Sequence, residues 1–104
     1  MIQREMNAPV RQIRDAEEEA DRLSSGIHGT APEDIRQEME KRLGADFSRV
    51  RFHSDPESDK RGTQMGARAW TTGSDVYFGK GGFDPQIAAH ELVHTIQQGA
   101  VRGL

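Results

Sequence analysis

The sequence predicts an α+β domain of three to four helices and a short β-hairpin or sheet, preceded by an N-terminal helical arm. Three observations predict it. Apolar residues recur at spacings of three and four in several segments, two short segments alternate apolar with polar residues, and glycine or proline stands between the segments. At 104 residues the chain can hold one small core and not two. Hydrophobic residues make up 34% and aromatics 6%, so the core is thin or part of the chain lies outside it. The expected division is an arm and linker over 1–29 and a core domain over 30–104.

In the arm, Pro9, Ile13, Ala16, Ala20, Leu23 and Ile27 form one helical stripe with charges between them. Pro9 suits a first turn, and Ser24-Ser25-Gly26 with Gly29-Thr30-Ala31-Pro32 suits an end and a linker. Such a stripe serves either as one side of a solvated arm or as a docking surface for a partner helix. A second helix is expected from Pro32 to Gly44, capped near Thr30 or Ala31, with Ile35, Met39 and Leu43 on one narrow apolar face. Arg49 to His53 reads as a short strand, Val50 and Phe52 facing inward and His53 facing the other way. Ser54-Asp55-Pro56 starts a third helix, expected to reach about Arg68 despite Gly62 and Gly66. Ala69 to Phe78 reads as a β-hairpin with a three-residue connection, Gly73-Ser74-Asp75. After Gly79-Lys80-Gly81-Gly82, Asp84-Pro85 caps and opens the last helix, which runs to Gln98 before Gly99.

The charge pattern excludes some functions. With 14 basic and 17 acidic residues mixed along the chain and a net charge of -3, no concentrated basic field awaits a phosphate backbone, so no nucleic-acid partner is expected. No stretch has the length of a membrane span and the first residues contain no apolar h-region, so neither membrane insertion nor a signal peptide is expected. Cysteine is absent, which leaves imidazole and carboxylate as the donors for a transition metal.

The chemistry concentrates on the last helix, in His90-Glu91-Leu92-Val93-His94. Histidines four apart project from one face of a helix about one turn from each other, close enough to share a tetrahedral Zn2+. Glu91 lies about 100° around the helix from His90, beside the metal rather than on it, where a carboxylate can take a proton from water as general base. This is the HExxH arrangement of zincin metallopeptidases. Ala88, Ala89, Leu92, Val93 and Ile96 gather on one side of the helix and His90, His94 and Gln97 opposite, so the histidines are expected to look toward a cleft or solvent.

Two histidines do not complete a catalytic zinc site, which takes three protein ligands. No histidine or acid follows His94, so the third ligand comes from upstream. His53 is the first candidate and Asp55 the alternative, either as a ligand or as an orienting group behind an imidazole; His28, in the linker, is a poorer one. The strand Asp75-Val76-Tyr77-Phe78 is the candidate sheet edge for a peptide substrate. Tyr77 is either an oxyanion donor or a packed aromatic, and Gln97 and Gln98 stand where an amide can bond a ligand side chain or cap the helix.

Three stretches taken together resemble a known family: Lys41 to Asp55 (KRLGADFSRVRFHSD), Gly66 to Trp70 (GARAW) and Ala89 to Gln98 (AHELVHTIQQ). They are similar to the core domain associated with bacterial extracellular contractile injection systems, over roughly residues 30 to 100. The resemblance implies a zincin-like metallopeptidase module, a hydrolase, with His90, Glu91 and His94 on the peptidase motif and His53 and Asp55 on an upstream His-x-Asp. It further implies a protein made in the bacterial cytoplasm and loaded into, or encoded beside, an injection particle, often ahead of a toxin or effector region. Its partners are then particle components and a peptide or protein substrate, including its own cargo, which it processes or releases. The connection from Phe78 to His90 is short and no cargo follows Leu104, which suggests a truncated or processed chain. The other expectation is a catalytically silent docking or loading domain with a structural or degenerate metal site, using the stripe of Ile13, Leu23 and Ile27.

Overall fold

The structure is a computed structural model that describes residues 15–102; Pro9 and Ile13 of the arm's stripe lie outside the described residues. Helix α1 is described over 15–23, followed by α2 (Pro32–Leu43), β1 (Arg51–His53), α3 (Pro56–Met65), β2 (Ala69–Thr72), β3 (Asp75–Phe78) and α4 (Pro85–Gln97). The α+β expectation holds: among the described residues, four helices surround a three-stranded sheet of order β1-β3-β2. β1 runs parallel to β3, and β2 pairs with β3 as an antiparallel hairpin.

Each helix ends where its sequence dictates. α2 carries Pro32 at its start and Glu33 and Asp34 in its first turn, and stops at Gly44, whose φ of 61° is left-handed. Ile35 and Met39 on its inner face are fully buried. The turn after α2 is tied back to it, since Glu40 accepts from the Phe47 N–H at 2.8 Å and Arg36 donates to the carbonyls of Phe47 and Val50. α3 ends at Met65 rather than near Arg68, because Gly66 adopts φ 68° and closes the helix with bonds from its N–H to Gly62 and Thr63. The hairpin is tighter than expected: Asp75 pairs with Thr72, so only Gly73 and Ser74 connect the strands, with Gly73 at φ 60°.

Strand alternation gives the sheet two distinct faces. Val76 and Phe78 of β3 are fully buried against Leu92, Val93, Ala88 and Ala89 of α4 and against Ile35 and Met39 of α2. On the opposite face His53, Tyr77 and Trp70 form a ladder of stacked rings, at 4.5 Å between His53 and Tyr77 and 5.2 Å between Trp70 and Tyr77. Arg61 of α3 lies over the Trp70 and Tyr77 rings. Three layers result, with α3 on one side of the sheet and α2 and α4 on the other.

The described part of the arm is packed on the core. Ala20 is fully buried, and Leu23 and Ile27 lie against the same cluster. Gln86 at the start of α4 donates to the Ser24 carbonyl at 2.7 Å, and Arg42 donates to the carbonyls of Leu23 and Ser25. The inner side of the stripe's described part is thus covered by this chain itself.

α3 approaches the hairpin through Gly62, where an added Cβ would stand 2.5 Å from Gly79 Cα and 2.7 Å from the Ala67 carbonyl oxygen. Both obstacles are backbone, so Gly62→Ala is expected to destabilise the fold by about 1–3 kcal/mol in denaturant unfolding, although alanine favours helix. An unchanged unfolding midpoint would contradict this packing.

Candidate metal centre

α4 buries one side and turns the other toward α1. Ala88, Ala89, Leu92 and Val93 are at most 1% exposed, while His90, His94 and Gln97 are half-buried. Asp84 caps the helix by accepting from the Ile87 N–H at 3.0 Å, which sets the start of the helix and so the direction of every later side chain. The two imidazoles are brought together, their centroids 4.7 Å apart and their planes nearly perpendicular.

The histidine face meets α1 rather than an open cleft or solvent. Glu17 spans both rings: one carboxylate oxygen is 2.7 Å from His94 Nε2 and the other 3.2 Å from His90 Nε2. Asp21, one turn further along α1, is 3.0 Å from His90 Nδ1. Gln97 faces His94 Nδ1 with its carbonyl oxygen at 2.6 Å and donates its amide to the Ala16 carbonyl and to Glu19, both at 2.9 Å. Potential ligand atoms of Glu17, His90 and His94 all lie within 4.8 Å of one another, the one such grouping among the described residues.

Glu91 points to the sheet side. It is 8% exposed, and its Oε1 accepts from Thr71 Oγ1 of β2 at 2.5 Å. Thr71 lies opposite Val76 and so projects from the α4 face of the sheet. Gln98 is exposed, and its amide reaches the Thr71 carbonyl at 3.5 Å.

The remaining candidates stand elsewhere. His53 is not brought to the histidine pair: it pairs with Tyr77 in register, so it projects from the face opposite α4, where its Nε2 is 2.9 Å from Asp75. Asp55 is not brought to this grouping either: it is the N-cap of α3 and accepts from the Ser58 N–H at 2.8 Å. Tyr77 is a packed aromatic of the outer ladder, remote from α4 by the same alternation. β3 does not offer a sheet edge, since β1 and β2 occupy both of its sides; β1 and β2 are the edges. His28 lies in the linker, where its backbone and ring nitrogens meet the Glu38 carboxylate. Glu17 and Asp21 were not foreseeable as site residues. Their four-residue spacing puts them on one helix face, but acids at that spacing are ordinary on a solvated helix.

This is a small α+β domain whose HExxH helix lies between a three-stranded sheet and an N-terminal helix. The chain belongs to the eCIS core domain family, which matches residues 30–102, and this associates it with contractile injection systems. No curated protein and no solved structure matches it.

The Asp55 carboxyl is held below its ordinary value, first by the Ser58 N–H bond and then by the Ser58 hydroxyl. A depressed carboxylate stabilises the fold fully above the unfolded-state pKa of about 3.9 and loses that contribution as pH falls through the folded-state value. Asp55→Ala is therefore expected to unfold more readily than the parent at pH 7, the gap closing in acid. A gap that stayed constant with pH would contradict the cap's ionised role.

Proposed function

We propose that this chain is a zinc-dependent peptidase module, hydrolysing peptide bonds to process or release cargo attached to or packaged with an injection-system protein. The observation that carries the proposal is the convergence of His90, His94 and Glu17 on one point of the helix that also carries Glu91. The donor chemistry fits zinc: two imidazoles and a carboxylate, with no thiolate in the chain. In the tautomer that a metal-bound imidazole takes, Asp21 and the Gln97 carbonyl would each accept from an Nδ1–H and both Nε2 lone pairs would face Glu17. In that state acceptors would meet acceptors, and a cation would supply what the set lacks.

Bound zinc supplies Lewis acidity toward a peptide carbonyl and makes nearby water easier to deprotonate. The chain's own part is to place the groups around it. Thr71 holds one oxygen of Glu91 against the sheet, so the role of general base would fall to the other oxygen once the side chain turns from the sheet toward the metal. β2 is the edge strand tied to α4 through Thr71 and Glu91, so a peptide substrate added as a further strand there runs alongside the general base.

The full chain is expected to bind about one zinc per molecule. Glu91→Gln should keep that zinc while cleavage of a fluorogenic peptide library falls by about 100-fold or more. Absence of zinc binding, or undiminished cleavage by the variant, would overturn the proposal. A docking domain with a degenerate site would instead load into particles unchanged by His90→Ala.

A further inference from the structure

Helix α1 precedes the residues that match the family, yet it delivers a carboxylate to the motif on α4. We propose that Glu17 is the third protein ligand of the zinc and that the metal clasps the N-terminal segment onto the core. This rests on His90 and His94 being zinc ligands, as argued above.

Distances favour a shared cation. Donor atoms around one tetrahedral zinc, with bonds of about 2.0–2.1 Å, stand about 3.3 Å apart. One Glu17 oxygen lies 3.2 Å from His90 Nε2 and the other 2.7 Å from His94 Nε2, so the carboxylate already stands near ligand separation from both rings, the shorter distance having to open by about half an ångström. The carboxylate divides itself between the rings instead of pairing with one, the position a third ligand takes.

The surroundings hold that position. Gln97 bonds both His94 Nδ1 and the Ala16 carbonyl, so the residue that orients one imidazole also grips the backbone next to Glu17. Asp21 does for His90 Nδ1 what Gln97 does for His94. At the far end of α1, buried Ala20 and the Ser24–Gln86 bond fix the helix without help from the metal. Glu17 is thus presented by a preorganised helix, while its side chain stays 55% exposed and open to substitution without disturbing the core.

Zinc affinity of the full chain, measured by competition with a chromophoric chelator, tests this with Glu17→Gln and with Glu18→Gln as the control on an exposed neighbour. Glu17→Gln is expected to weaken zinc at least about 10- to 100-fold, and Glu18→Gln to leave it unchanged. Zinc should also slow hydrogen exchange of the backbone amides over residues 15–29 in the parent protein and fail to do so in Glu17→Gln. Parental affinity in Glu17→Gln overturns the inference and leaves the histidine site standing, the more so if peptide cleavage rises, which would make Glu17 an obstruction and not a ligand. A parent chain that binds no zinc overturns both.

Discussion

Helix α4 is packed on two sides, and both sides constrain the same few residues. Leu92 and Val93 are locked against Val76 and Phe78 of the sheet, so the helix cannot rotate without exposing the centre of a thin core. That fixed rotation turns His90, His94 and Gln97 toward α1. The site is a consequence of core packing: the apolar side of α4 determines where the imidazoles stand, and α1 supplies what faces them. Burial of Ala20 on the inner side of α1 is the matching constraint, since a larger residue there would lift Glu17 away from both rings.

The two-residue period of the strands sorts the candidate residues as firmly as the helix does. Thr71, Val76 and Phe78 share the α4 face, while His53, Trp70 and Tyr77 share the other. A histidine on the outer face is separated from α4 by the sheet itself, whatever its distance along the chain. The outer ladder has its own function in packing, because His53 is paired with Asp75 and stacked on Tyr77, and Arg61 of α3 covers the rings beside it.

Much of this was legible in the sequence where local chemistry decides the outcome. Asp55-Pro56 and Asp84-Pro85 announced two helix starts, Gly44 one helix end, and the spacing of His90 and His94 their common face. The alternation of Val50 and Phe52 with His53 correctly gave His53 the outward direction. What that direction meant required the strand order: once β3 lies between β1 and β2, outward means the α3 side, and β3 has no free edge. Sequence does not encode a parallel pairing between β1 and β3 in any short-range signal, because the two are joined through α3 and the hairpin. Glu17 and Asp21 were hidden for a different reason. They flank the apolar stripe of an acidic helix, and only the docking of that helix distinguishes them from Glu18 beside them.

In the arrangement proposed above, α1 and α4 together form one metal site. Zinc-edge anomalous diffraction from crystals of the full chain grown with zinc tests it most directly. A single peak is expected within about 2.0–2.2 Å of His90 Nε2, His94 Nε2 and a Glu17 carboxylate oxygen. A peak at His53 or Asp55, or no ordered zinc at α4, would contradict it.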